Sequence, residues 1–165
     1  MFVAHDVSFD VPFVTARSRL MNLLAGRVLT SVSRAAYDKG LARTSSGRLP
    51  GPAPLMRVRS LQPSERTDRV TAGLRWEASG PPAGLFPVLD ADVTLAADGR
   101  VGSRLALAGI YRVPFVDLND DPDATVTGRM ADTTIRALLH AIAGHLSRSG
   151  SGCPSDSFPA PAGVP

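Results

Sequence analysis

The strongest constraint on the fold is a long helical stripe that follows a series of alternating segments. Apolar residues recur every three or four positions through residues 122–146, and Ile135, Leu139 and Ile142 belong to this stripe. The spacing predicts a final helix of about 24 residues. From residue 55 up to this helix, apolar and polar residues mostly alternate, which is typical of strands with one buried face. The chain must therefore bury one face of a sheet, and the long helix offers the largest surface for this.

The alternating segments predict five strands. The first places Val3, His5 and Val7 on one face. Between the last two strands, the pair Asp98-Gly99 is a strong hairpin signal, because such pairs adopt the backbone conformations of tight turns. Residues 63–68 are polar and are predicted to form a turn. The predicted strands are 2–11, 55–59, 70–78, 87–95 and 101–112, and the last four are expected to be antiparallel.

Between the first and second strands, the apolar period changes to that of a helix. Gly26 lies inside this stripe and costs about 1 kcal/mol relative to Ala, so the segment is predicted to break into two short helices. Gly40 is a suitable helix stop, residues 44–54 are rich in Gly and Pro and predict a loop, and Asp121 is a candidate cap for the final helix. The stripe consists of Leu20, Leu23, Leu24, Val28, Val32 and Ala35.

The composition is that of one globular domain followed by a tail. The chain has 165 residues, of which 44% are hydrophobic, and this is enough for a single core. Residues 149–165 contain four Pro, three Gly and four Ser, so they are predicted to be a disordered tail, and the domain spans 1–148. The single cysteine, Cys153, excludes an intrachain disulfide. The richness in Arg, Ala, Gly and Pro is typical of a GC-rich genome such as that of an actinobacterium.

The charge distribution allows two interpretations of the segment at residues 12–54. Residues 12–54 carry seven basic side chains and one acid, Asp38. A solvated helix face explains this excess, and association with nucleic acid or an anionic membrane surface is the alternative. The low aromatic content of 5% argues against sequence-specific recognition of nucleic acid. No secretory signal and no membrane-spanning apolar run is visible, so a cytoplasmic location is expected.

The predicted order is strand, short helices, four antiparallel strands and a long C-terminal helix, an α+β arrangement in which a curved sheet wraps around that helix. This order, with RLALAGIYRVPF at 104–115 and MADTTIRALLHAIAGHL at 130–146, resembles the START-like or SRPBCC helix-grip superfamily, which includes polyketide cyclases and lipid-transfer domains. The resemblance covers 1–148 and is to uncharacterised bacterial members. It implies an apolar cavity between sheet and helix, where members bind lipids, polyketides or sterols and some catalyse cyclisation or hydrolysis.

The candidate cavity residues lie on the predicted inward faces. His5 is the one polar residue on its face, so it is either a satisfied core histidine or a donor or base in the cavity. Trp76 and Tyr111 join an apolar body to one polar group, which suits orienting a mostly apolar ligand, although ordinary core packing also explains them. Gly109 would let the long helix or a ligand approach the sheet. The predicted ligand-binding set is His5, Leu74, Trp76, Leu89, Leu107, Gly109, Tyr111, Met130, Thr134 and Ala137.

The sequence carries no motif that identifies a reaction. It has no nucleophile elbow, no Walker A loop and no C-x-x-C pair. His140 and His145 point about 140° apart on a helix, so they cannot share a metal ion. The run of Asp117, Asn119 and Asp121 lacks the glycine of a calcium loop. We therefore expect no metal and no cofactor, and the sequence does not decide whether the protein is an enzyme.

Two function classes fit these observations. The first is binding of a hydrophobic small molecule, a lipid or a polyketide-like compound, in the cavity between the sheet and the C-terminal helix. The alternative is a polyketide cyclase, aromatase or hydrolase that uses the same cavity, with His5 and Tyr111 as acid or base. The expected partner is the small molecule, with no specific nucleic acid and no membrane span, and the chain is expected to be a monomer or a homodimer. The identity of the ligand does not follow from the sequence.

Overall fold

The helices and strands occur in the order that the alternating and helical segments predict. The computed structural model describes residues 1–26, 28–44, 55–79, 88–112 and 123–148. Within these ranges the chain forms six strands and three helices. They are β1 (Phe2–Phe9), α1 (Phe13–Ala25), α2 (Val28–Thr44), β2 (Leu55–Ser60), β3 (Ser64–Arg66), β4 (Arg69–Ser79), β5 (Val88–Asp98), β6 (Gly102–Arg112) and α3 (Asp123–Ser147).

The six strands form one antiparallel sheet in the order β1-β6-β5-β4-β2, with β3 pairing with β4. The hairpin predicted between the last two strands is present, and Gly99 adopts a φ of 67° there, a conformation that favours glycine. β1 joins β6 with Val3 opposite Gly109, so the first and last strands are neighbours. The predicted turn at residues 63–68 is wrong in part, because Ser64–Arg66 is a short strand. Its side chains are all exposed, so it lacks the apolar alternation that would have revealed it.

The break at Gly26 is confirmed, and it changes which residues of the second helix are buried. Gly26 ends α1 with an extended backbone, so α2 begins with a new rotational phase. Val28, which the continuous stripe predicted to be buried, is 42% exposed. Leu29 and Ala36 are buried in its place, together with the polar Ser33. The two helices have 13 and 17 residues, and the predicted stop at Gly40 is wrong, because α2 continues through it to Thr44.

The helices cover the inner face of the sheet. α3 packs against β1 and β6, α1 packs against β5 and β6, and α2 lies on α3 and reaches β2. The predicted α+β, helix-grip architecture is therefore confirmed, with α2 extending the cover beyond α3. The core combines buried side chains from α1, from the central strands and from α3, among them Leu20, Leu23, Val70, Val93, Leu95, Leu105, Leu107, Ile135, Leu138, Leu139, Ile142 and Leu146.

Several predictions concern residues outside those that the structure describes. The tail at 149–165, the candidate cap Asp121, the calcium-loop comparison at 117–121 and most of the loop at 44–54 lie there. Among the helices that are described, none combines the length and the apolar character that crossing a membrane would need.

Candidate functional site

A chain of three polar side chains joins the sheet edge to the long helix. His5 lies on β1 and its Nε2 is 2.6 Å from Oδ1 of Asp132 on α3. The other carboxylate oxygen, Oδ2, accepts a hydrogen bond from Nε of Arg136 at 2.8 Å, one helical turn further on. The side chain of His5 is 19% exposed and that of Asp132 is 45% exposed. The imidazole is therefore mostly buried, while the carboxylate and the guanidinium open to solvent.

This arrangement fixes the orientation of the imidazole. A carboxylate bonded to one ring nitrogen sets the tautomer and the ring plane. Nδ1 of His5 makes no hydrogen bond within the described parts of the chain. Asp132 therefore positions the ring, and Arg136 positions Asp132.

The aromatic residues predicted to line a cavity lie in the interior. Trp76 and Tyr111 are each 2% exposed and are the two largest fully buried side chains among those described. They are on β4 and β6, and Leu89 of β5 stands opposite both of them in the sheet register. Leu74 and Leu107 are buried on the same face. The structure thus brings five of the predicted residues together on the inner face of the sheet.

Gly109 permits a close approach, but to a strand and not to the helix. A Cβ atom at Gly109 would lie 2.2 Å from the carbonyl oxygen of Asp90 and 2.4 Å from Cα of Ala91. Both atoms belong to β5, the neighbouring strand. The expected approach of the long helix or a ligand is therefore not what requires glycine here. The glycine is needed because two adjacent strands lie too close for a side chain.

Thr134 is a buried polar residue on α3. Its side chain is completely buried, between the turns that carry Ala131 and Leu138. The Oγ1 atom has no hydrogen-bond partner within the described residues. Ser33, on α2, is likewise buried without a partner for its hydroxyl. Most buried polar side chains do have a partner, so each of these hydroxyls requires an explanation.

The other two predicted residues of α3 do not join this group. Ala137 is half-buried and lines a cleft between α2 and α3 on the outward side of α3. Met130 lies in α3, but its side chain is outside those described. The cleft has a volume of about 430 Å³. It is lined by Lys39, Asp132, Thr133, Arg136, Ala137 and His140.

A second cavity lies on the opposite side of the sheet. It measures about 670 Å³ and is bounded by the exposed apolar side chains of Phe2, Leu61 and Ile110. Gly73 and Ala108 contribute small residues between them. Leu61 lies across Gly73, where an added Cβ would be 2.8 Å from its Cδ1 atom. Leu74 and Gly109, two residues of the predicted ligand-binding set, also border this cavity, whereas Trp76 and Tyr111 do not.

Asp132 and Arg136 are the site residues that the sequence analysis missed. Asp132 directly follows the buried Ala131, and in the sequence it looks like an ordinary solvated residue of a helix. The available signal was His5, because a polar residue on an apolar strand face needs a hydrogen-bond partner. The helix that covers that strand carries Asp132 at the level of His5, which the sequence alone does not show.

No protein-family model matches the chain, and no curated protein matches it. Solved structures that are similar to it include the following three. One is the Zhui aromatase/cyclase from Streptomyces sp. R1128, with 13% identity, a TM-score of 0.40, and coverage of 93% of this chain and 99% of that one. Another is a conserved protein from Geobacillus kaustophilus, with 11% identity, a TM-score of 0.42, and coverage of 87% and 96%. The third is DynU16, of the dynemicin biosynthetic locus, with 16% identity, a TM-score of 0.34, and coverage of 86% and 47%.

Proposed function

We propose that the protein binds a hydrophobic small molecule, a lipid or a polyketide-like compound, between the sheet and α3. The position of the helices supports this proposal. Among the strands, α3 packs against β1 and β6, at one side of the sheet. Trp76 and Leu89 project from the neighbouring strands β4 and β5 into the same interior. A ligand that displaces or reorients such large side chains gains apolar contact on all sides.

The observation that carries the proposal is the buried hydroxyl of Thr134. It has no hydrogen-bond partner within the described residues. Leaving a buried hydroxyl without a partner costs about 1–3 kcal/mol. A carbonyl or hydroxyl group on an otherwise apolar ligand would recover that energy. This is the usual pattern of small-molecule sites, in which few polar groups orient a mostly apolar compound.

The single tryptophan of the chain makes binding directly measurable. Trp76 is its only tryptophan and is 2% exposed, so its emission reports on the interior alone. We expect lauric acid or 1,8-dihydroxyanthraquinone to change this emission saturably, and native mass spectrometry of gently purified protein to show a co-purified molecule. Absence of both a saturable change and a bound mass would refute the proposal.

A substitution at Thr134 distinguishes specific binding in the interior from non-specific hydrophobic association. Thr134→Val keeps the shape and removes only the hydroxyl, so we expect about tenfold weaker binding of the ligand that uses it. The matched control is Thr30→Val on α2, where the side chain is exposed. The control should bind as the unsubstituted protein does. Equal affinities for both variants would remove Thr134 from the site.

The hydrogen bond between His5 and Asp132 favours a second candidate function, acid–base catalysis by a cyclase, aromatase or hydrolase. An oriented imidazole next to an apolar interior can remove a proton from a bound compound. The hydrolase form is tested with p-nitrophenyl esters of increasing chain length. We expect His5→Gln to lower the rate at least tenfold, while His145→Gln, on the last turn of α3, leaves it unchanged. Unchanged turnover in His5→Gln would exclude this function.

A further inference from the structure

We propose that the cleft between α2 and α3 binds the oxyanion group, phosphate or carboxylate, of a small organic molecule. We call it the basic cleft and define it by Lys39, Asp132, Thr133, Arg136, Ala137 and His140. Its volume of about 430 Å³ is in the usual range of small-molecule sites, about 300–1,000 Å³. It is large enough for a phosphate or carboxylate group with an organic part attached.

The charges of the basic cleft are not balanced within the part of the chain that the structure describes. Lys39 and Arg136 are cations, and Asp132 is the carboxylate that shares the cleft with them. Both oxygens of Asp132 are already used, one by His5 and the other by Arg136. Lys39 forms no ion pair within the described residues. The lining therefore carries a net positive charge even when His140 is neutral.

The spacing of the groups that line the basic cleft strengthens this inference. Arg136 and His140 are four residues apart on α3, so they are neighbours on one face of the helix, and Lys39 borders the same cleft from α2. Placing the two cations Lys39 and Arg136 at one cleft is unfavourable, and a bound anion would offset their repulsion. Arginine offers a planar pair of donors that matches a phosphate or carboxylate, and Lys39 adds a compact charge. The hydroxyl of Thr133 supplies one more donor at the edge of the site.

The basic cleft shares Asp132 and Arg136 with the group around His5, but it lies apart from the buried aromatic residues Trp76 and Tyr111. Arg136 and His140 are exposed on α3, outside its buried stripe. Lys39 is likewise exposed, on α2. A ligand in the cleft therefore does not enter the space beside Trp76. Failure of the hydrophobic-ligand proposal would therefore not refute oxyanion binding in the basic cleft. Failure of oxyanion binding would likewise not refute the hydrophobic-ligand proposal.

The experiment follows the imidazole signals of His140 by NMR during a titration with sodium phosphate. Sodium chloride keeps the ionic strength constant, and sodium acetate serves as the second probe. We expect a saturable shift at His140, with a dissociation constant on the order of 1 mM for the bare ion. His145 lies on the same helix outside the cleft and should not respond. Equal, non-saturating shifts of both histidines would overturn the proposal.

Two variants with the same charge change test the assignment to this cleft. Lys39→Gln removes a cation of the cleft that contacts no other described charge, and we expect at least fivefold weaker phosphate binding. Arg34→Gln removes an exposed cation from the same helix, outside the lining, and should keep affinity within twofold. If phosphate affinity fell equally in both variants, the binding would depend on the overall charge of the protein and not on this cleft, and the proposal would be overturned. Co-sedimentation with phosphatidylglycerol vesicles, without any response to free phosphate or acetate, would also overturn the small-molecule assignment.

Discussion

His5 and Asp132 are 127 residues apart in the chain, and a hydrogen bond of 2.6 Å joins their side chains across the boundary between the sheet and the long helix. β1 is an edge strand whose one strand neighbour in the described sheet is β6. On its inner face, His5 takes the place between Val3 and Val7, where an apolar residue would be expected. The bond therefore serves as a polar link between the sheet edge and α3.

The strength of this link can be measured with a double-mutant cycle. His5→Gln and Asp132→Asn each remove one partner, and the double variant removes both. Because the carboxylate is 45% exposed, we expect a coupling energy of about 1 kcal/mol, at the low end for a charge-assisted bond. Urea unfolding of the four proteins gives this value. Strictly additive effects of the two substitutions would show that the contact contributes nothing to stability.

Glycine at position 109 is required by the close approach of β5 and β6. In Gly109→Ala, the new Cβ would fall 2.2 Å from the carbonyl oxygen of Asp90, and backbone atoms of a central strand cannot move cheaply. We expect a loss of about 2–3 kcal/mol in the free energy of unfolding. Gly144→Ala is the control, since no atom lies within 4 Å of the added Cβ on α3.

The control variant Gly144→Ala is expected to change the free energy of unfolding in the opposite direction. Alanine is a better helix former than glycine, so Gly144→Ala should stabilise the protein by about 0.5–1 kcal/mol. Thermal unfolding of both variants measures the difference. A loss of stability in Gly144→Ala similar to that in Gly109→Ala would indicate that the strand contact is not the cause.

The fold could be predicted from the sequence wherever one face of an element is apolar and the other polar. Leu105 and Leu107 alternate with Arg104 and Ala106, and the strand follows directly from that pattern. β3 could not be found in this way, because Ser64–Arg66 has no buried side chain. The sequence analysis also missed which face of α2 is buried. The break at Gly26 reorients the chain, so the apolar spacing of α1 does not continue into α2.

The candidate site was predicted in part, for a different physical reason. Trp76 and Tyr111 have large apolar rings, so their burial could be predicted without knowing how the helices pack on the sheet. The partner of His5 depends on how far along β1 the helix docks, which no local pattern encodes. Asp132 and Lys39 are ordinary helix-surface residues in the sequence, and their roles come from the packing of α3 against β1 and α2.

A buried hydroxyl holds the segment that enters α1. Ser103, at the start of β6, donates a hydrogen bond of 2.7 Å from Oγ to the carbonyl oxygen of Val11. Ser103→Ala leaves that carbonyl without its side-chain donor, and we expect a cost of about 1–2 kcal/mol. Ser18→Ala is the control, because its hydroxyl bonds the carbonyl of Val14 on an exposed part of the same helix that Val11 precedes. Chemical denaturation that finds equal stabilities for the two variants would contradict this assignment.

The hydroxyl of Thr134 should reduce the stability of the ligand-free protein while it contributes to binding. Valine has the same branching at Cβ, so Thr134→Val leaves the side-chain entropy and the shape nearly unchanged. Because the hydroxyl has no partner within the described residues, its removal should raise the free energy of unfolding by about 1 kcal/mol. A domain of this size should then unfold about 2–4 °C higher, measured by circular dichroism without ligand. With saturating ligand, the difference in unfolding temperature between the variant and the unsubstituted protein should become smaller or change sign, because the unsubstituted protein binds the ligand more tightly. A Thr134→Val variant that is less stable without ligand would show that the hydroxyl already has a partner in the free protein, and the main support for the interior site would be lost.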